Sequence, residues 1–199
     1  MSKILVDTID TRSGTTTLTL GSSNAGTIAL GSGDVQSNFL QPSFLAYLSS
    51  NQTGVAHESY VKVNFNAESF DTNSAFDTSN YRFTPGVAGK YFLFAHVNVE
   101  ATNTANNYTL RKVELAIYKN GSAVTNPKLE YRLRGNDNGG NEDAEFDQVM
   151  ATVSGIVTAD ADDYFEVYGY AGNDQGSTDR QYKADVTYFG GYRIGTWAH

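Results

Sequence analysis

The sequence predicts an all-β protein, an antiparallel two-sheet jelly-roll sandwich carried on an extended amino-terminal segment. Three observations predict it. Runs in which apolar and polar residues alternate recur at sandwich spacing, about nine or ten of them, with turn residues between. The composition, with 13 Tyr, 11 Phe and 19 Gly against 3 Pro, suits pleated, turn-rich structure. No stretch carries the 3.6-residue period of an amphipathic helix.

The organising stretch is Tyr81 to Glu100. Pro85, Gly86 and Gly89 punctuate it into a short strand, a reversal and a long strand. In the long strand Tyr91, Leu93, Ala95, Val97 and Val99 alternate with Phe92, Phe94, His96, Asn98 and Glu100. Both faces begin apolar, so one covers the sandwich core and the other meets a second sheet or a neighbouring subunit. Phe92, Phe94 and His96 are therefore the candidate subunit interface.

In chain order, residues 1–41 form one unit and residues 42–199 the head. Between Thr11 and Gly33 the sole charge is Arg12, and Thr17-Leu18-Thr19-Leu20-Gly21-Ser22 recurs ten residues later as Thr27-Ile28-Ala29-Leu30-Gly31-Ser32. One chain has too few apolar residues here to bury a core alone. Three copies could share Leu18, Leu20, Ile28 and Leu30 as a stalk interior; the competing reading is a flexible linker. Ile4-Leu5-Val6 and Ile9 supply an anchor onto a larger assembly.

In the head, Ser43 to Leu48 alternates Phe44, Ala46 and Leu48 against Leu45 and Tyr47, and a loop follows to Gly54. Val61, Val63 and Phe65 mark the next strand. Residues 66–80 are polar and turn-rich, with Phe70 and Phe76 expected as anchors. Val113, Leu115 and Ile117 lead into Lys119-Asn120-Gly121, a hairpin signal because both turn positions accept positive φ. Leu129 to Leu133 is a strand, and residues 135–145 form a polar loop. Val149 to Val157 is a strand with Gly155 as an expected bulge. Tyr164 to Tyr170 sets Phe165 and Val167 opposite Tyr164, Tyr168 and Tyr170. The last strand runs from Tyr182 to Ile194, where Gly190-Gly191 allows a bend or a close backbone approach.

The net charge of −8 argues against nucleic acid, which requires a basic face. The absence of cysteine removes disulfides, thiolate metal sites and a cysteine nucleophile together. Only Ile4 to Val6 is apolar before Asp7, too short for a signal-peptide core, and no run reaches a membrane span. The expectation is a protein made in the cytoplasm and not inserted in a membrane.

No catalytic constellation is legible, and the protein is expected not to be an enzyme. His57 has no partner set, His96 sits beside Phe94 on the central strand, and His199 is terminal. No cofactor is expected. Asp137, Glu142 and Asp143 offer hard oxygen ligands for calcium in a loop that reads equally as solvated surface. Tyr108, Tyr131, Tyr164 and Tyr170 are candidate receptor contacts, since tyrosine presents a flat apolar face and a hydroxyl, though core or interface packing uses the same residue.

Over residues 43–195 the chain resembles the trimeric jelly-roll family of complement component one-q heads and, more distantly, tumour necrosis factor. The resemblance rests on Phe76-Asp77, Phe83-Thr84-Pro85, Gly89-Lys90-Tyr91-Phe92-Leu93, Lys119-Asn120-Gly121, Asp163-Tyr164-Phe165 and Phe189-Gly190-Gly191-Tyr192. It departs from the family in lacking an alanine between Thr84 and Pro85, in Asn80 for a turn glycine, where asparagine tolerates the left-handed conformation, and in Asp162 for the glycine before Asp163. SKILVDTIDTRSGTTTLTLGSS at the amino terminus is similar to the leader of tailed-phage fibre or appendage proteins, marine ones especially. Together these resemblances imply a homotrimer at the virion surface. Residues 1–41 would hold other virion proteins, and the head would serve adhesion to a host glycan or protein, or particle decoration, on a head or a tail fibre. The rival reading is a soluble lectin-like or cytokine-like recognition module unattached to a virion.

Overall fold

The structure, a computed structural model, describes residues 41–103, 109–134, 146–172 and 179–195. The expected stalk interior (Leu18, Leu20, Ile28, Leu30), Tyr108, His199 and the calcium candidates Asp137, Glu142 and Asp143 lie outside the described residues.

Every regular element among the described residues is a strand. They are β1 (Ser43–Tyr47), β2 (Gln52–Thr53), β3 (Tyr60–Lys62), β4 (Ala67–Asp71), β5 (Phe76–Asp77), β6 (Arg82–Phe83) and β7 (Gly89–Ala101). After them come β8 (Lys112–Lys119), β9 (Ser122–Ala123), β10 (Glu130–Arg134), β11 (Gln148–Ala159), β12 (Phe165–Gly172) and β13 (Arg180–Gly195). The first sheet has the order β11-β7-β13-β1-β4, with β2 also on β13; the second has β10-β8-β12-β6-β5, with β3 on β12 and β9 on β8. All strand ladders are antiparallel, and the two sheets make the predicted jelly-roll sandwich.

The period-two pattern decides which side of each strand is dry. On β7, Tyr91, Leu93, Ala95, Val97 and Val99 are fully buried, and Val113, Leu115 and Ile117 of β8 and Phe165 and Val167 of β12 face them from the second sheet. Phe44 is the hub of this core. Its ring lies 4.4 Å from Phe83, 4.9 Å from Phe189 and 5.1 Å from Phe76, at stacked or edge-on angles that aromatic quadrupoles favour. Tyr182 spans the sandwich from β13, and its hydroxyl donates to the Val61 carbonyl at 3.3 Å. It passes over Gly169, where a Cβ would come within 2.5 Å of the Tyr182 oxygen.

Asn120-Gly121 turns β8 into β9 with φ of 51° and 78°, as its sequence predicts. Four expectations need correction. Residues 66–80 are not all loop, because β4 pairs with β1 and β5 with β6. Phe76 is an anchor, but Phe70 is 50% exposed, since it pairs with Leu45 on the outward side of the sheet. Gly155 is no bulge. The β11–β7 ladder runs unshifted through it, and a side chain there would collide with Leu129 of the opposite sheet. The left-handed residue beside β6 is Tyr81, at φ 54°, whereas Asn80 is held by its hydrogen bonds to the Asp77 carboxylate. Gly190-Gly191 provides the close approach and not a bend: Cβ atoms there would meet Phe94 and Leu93 at 2.5 Å while the ladder to β7 continues in register.

Candidate functional site

Two outward faces carry the side chains that could serve function, one on each sheet. On the first sheet, antiparallel register sets side chains in rows, since directly opposed residues share a face. One row is Ile156, Phe92 and Tyr192; the next is Ser154, Phe94, Gly190, Leu45 and Phe70; the third is Thr152, His96, Tyr188 and Tyr47. Phe92 touches Phe94 and Tyr192 at ring distances of 6.0 and 5.7 Å, and Phe94 meets Tyr188 edge-on at 6.2 Å. His96 stacks on Tyr188 at 5.3 Å and shares a 2.7 Å hydrogen bond with the Thr152 hydroxyl. Phe92, Phe94 and His96 are half-buried within the single chain, while Ile156 and Tyr192 remain nearly half exposed. The sequence-predicted interface trio is thus brought onto one contiguous apolar surface.

Further along the same face the chemistry changes. Asn98 is fully buried, its amide nitrogen donating to Asp185 at 3.4 Å and its backbone N–H to the Thr187 hydroxyl at 3.0 Å. The register shift in β13 between Lys183 and Tyr188 makes this connection. Glu100 accepts from Gln181 and pairs with Lys183 at 3.2 Å, a partnership that raises the Lys183 pKa. The face is therefore apolar at one end and polar at the other.

The outer face of the second sheet is different throughout. Tyr60, Tyr118, Tyr168 and Tyr170 form a run of rings with centroids 6.1, 5.3 and 4.3 Å apart (Tyr60–Tyr118, Tyr60–Tyr170 and Tyr118–Tyr168). Glu114 sits among them on β8, its side chain only 2% exposed. Arg134 grips one oxygen and the Tyr60 hydroxyl donates to the other at 2.5 Å. Burial, then the hydrogen bond to Glu114, pushes the Tyr60 phenol well above its ordinary range, so it stays a donor. Lys62 pairs with Glu166, Lys112 with Glu58, and Lys128 and Arg132 with Glu130.

Of the candidate receptor contacts, Tyr170 lies on this face. Tyr164 sits half-buried beside the Asn120-Gly121 turn with the Arg82 guanidinium 5.0 Å above its ring. Tyr131 pairs with Leu115 and packs half-buried against the core, on the inner side. Sequence reasoning missed Tyr60, Tyr118 and Glu114 as neighbours, although the parity of Glu130-Tyr131-Arg132 already marks Tyr131 as inward. It also missed Arg180, a fully buried guanidinium that donates to the Val55 carbonyl at 3.2 Å and lies 3.4 Å from His57 Nδ1. Burial lowers its pKa. Among the described residues no group of three acidic or histidine side chains converges as a metal site.

No family model matches the chain. It is 36% identical over 128 residues, 63% of its length, to the phage-like element PBSX protein XkdV of Bacillus subtilis (strain 168), of whose length it spans only 16%. Its structure matches the globular domain of the zebrafish complement 1qA protein with a TM-score of 0.50 at 16% identity, covering 78% of this chain and 99% of that one. The likeness read from residues 43–195 thus holds at the level of fold: this chain carries the jelly roll of the complement globular heads.

Proposed function

We propose that the protein is a structural component of a phage particle, a homotrimeric fibre or appendage whose head is displayed for adhesion to a host surface or for decoration. The observation that carries this reading is the apolar outer face of the first sheet. An isolated chain leaves Phe70, Ile156, Tyr192 and Ile194 between 44% and 50% exposed, beside a half-buried Phe92–Phe94 pair. A contiguous patch of this kind on a soluble surface marks an interaction site. A threefold arrangement of identical heads covers it on every copy at once and closes. The fold supports this, and the phage-element relative supports the particle as its setting. Residues 1–41 would provide the attachment. The protein acts by binding, without cofactor or turnover, and weak contacts made by three heads add through valency.

The test is the mass of the full chain by light scattering, together with antibody labelling of purified phage particles. Three 21.6 kDa chains give about 65 kDa, and labelled particles place the protein at the virion surface. A monomer near 21.6 kDa refutes the trimer. A trimer on unlabelled particles returns the protein to the free recognition modules.

A further inference from the structure

We propose that the outer face of the second sheet is a saccharide-binding surface, with one neutral sugar ring seated in the cleft between Tyr60, Tyr118 and the β9–β10 connection. The proposal rests on the adhesive reading above and names its ligand class and its location.

The cleft has a volume of about 230 Å³. Ala116, a small residue in the middle of an aromatic surface, leaves its depth, and Val124 and Leu129 complete an apolar floor. Tyr60 and Tyr118 form the walls, and Glu130, Lys128 and Arg132 stand at the rim. Aromatic walls with a few convergent polar groups are what a small-ligand site requires. A sugar ring fits that description closely, because its C–H face packs on an aromatic ring while its rim of hydroxyls both donates and accepts.

Charge selects the neutral class. On this face the cations Lys62, Lys112, Lys128, Arg132 and Arg134 are all paired with the carboxylates Glu58, Glu114, Glu130 and Glu166. The surface is close to balance on a chain whose net charge is −8. An anionic ligand would have to displace these carboxylates from their cations, and a cationic ligand the reverse. A hydroxyl can join an existing ion pair as donor to one member and acceptor from the other, stranding neither. A protein partner is better served by the broad apolar face of the other sheet.

The platform is also preorganised. Tyr60 is fixed by Glu114, which Arg132 and Arg134 hold in turn, so ring orientation is set before any ligand arrives. The Tyr118 hydroxyl, by contrast, has no hydrogen-bond partner among the described residues. Its ring lies against Tyr60 and Tyr168, which leaves its oxygen to the ligand.

The experiment uses the full chain against an array of defined neutral oligosaccharides (gluco-, galacto-, manno- and rhamno-series) and acidic ones bearing uronic or sialic acid, with calorimetry on any hit. Binding of at least one neutral oligosaccharide is expected. Tyr118→Ala should weaken it roughly tenfold, while Tyr118→Phe, which keeps the ring, should lose only a few-fold. Ala123→Trp, at an exposed position on the cleft wall, should block binding by filling the space while removing no contact. The inference is overturned if no neutral oligosaccharide binds, if only acidic ones do, or if Tyr118→Ala and Ala123→Trp both bind like the parent. Parallel binding to whole bacterial cells separates it from the adhesive reading. Cell binding that survives Tyr118→Ala and is lost after protease treatment of the cells overturns the saccharide site and leaves adhesion standing. Absence of cell binding overturns adhesion, and the array alone then decides the saccharide site.

Discussion

The proposed threefold contact makes Phe94 the most informative residue to change. Phe94→Glu places a carboxylate in the middle row of the apolar face, against Gly190, Tyr188 and Phe92. Withdrawing a phenyl ring from a buried contact forfeits about 1.5–3 kcal/mol. An unpaired carboxylate trapped in the same contact costs several more unless water reaches it. Taking about 4 kcal/mol per protomer as the smaller outcome, each contact weakens roughly a thousandfold. In the proposed trimer the loss applies at three symmetry-related contacts. Within one chain the effect is far smaller, because Phe94 is half-buried and its cross-strand contacts contribute about 0.2–1 kcal/mol each. The variant should therefore stay folded by near-ultraviolet dichroism and sediment as a monomer at micromolar concentration. Tyr192→Glu, which starts 48% exposed and touches Phe92 at 5.7 Å, should behave alike. Tyr118→Ala on the other sheet should remain trimeric. If Phe94→Glu and Tyr192→Glu both sediment as trimers, the first sheet's outer face is not the contact, and the reasoning from its apolar rows fails.

Three further outcomes probe the fold beneath the two faces. Phe44→Ala removes the ring that joins Phe76, Phe83 and Phe189 and should destabilise by about 3–5 kcal/mol in urea unfolding. Gly155→Ala should destabilise by about 1–3 kcal/mol, because its methyl meets Leu129 across the sandwich, and Leu129→Ala in the same chain should recover part of that loss. Asp163 is partly buried, which opposes its ionisation. Lys119 at 2.6 Å, the Asp160 N–H and Asn120 outweigh that and hold its pKa below the usual carboxylate value. Its contribution is thus complete above the unfolded-chain pKa near 4 and is lost as pH falls through the lower folded value. Asp163→Asn should be less stable by about 1–2 kcal/mol at pH 7 and show a flatter decline between pH 5 and pH 2. Equal acid slopes for parent and variant would refute that assignment.

How much of this was legible in the chain follows from ladder length. The strands β7, β8, β11, β12 and β13 each hold at least eight residues, enough for alternation to declare a dry face, and the large apolar side chains it marks inward, such as Leu93, Leu115, Val153 and Phe165, are buried. The two-residue ladders β2, β5 and β9 carry no period at all, so they read as loop, and β6 is legible only from the Pro85-Gly86 break that follows it. Phe70 and Phe76 lie in the same polar segment, and composition cannot tell them apart. The register of β4 against β1, with its shift between Leu45 and Ala46, turns Phe70 outward. Glu114 and Arg180 were illegible for a different reason. A buried charge is recognisable only with its partners, and these come from β10, twenty residues along the chain, and from Val55, 125 residues away.

The division between the two faces follows from what each aromatic residue leaves exposed. The first two rows of the first sheet's face carry phenylalanine beside glycine and no charged group, and the polar groups nearest Phe92 and Phe94 are the hydroxyls of Ser154, Tyr188 and Tyr192. A second protein surface can dry them at little electrostatic cost. The second sheet's face carries tyrosine at the same strand parity, each ring beside a carboxylate or a cation. Drying it completely would strip water from the outer sides of five cations and of Glu58 at once. A protein interface there would be penalised; a small hydroxylated ligand that leaves most of those groups wet would not. This difference supports the proposed division of partners, copies of the chain on one side and a glycan on the other. Exchanging the chemistry, with Tyr118→Phe and Glu130→Leu on the second sheet, should therefore produce higher oligomers by light scattering before it abolishes folding. A double variant that stayed at the parent mass would show that exposed aromatic area alone does not set the choice.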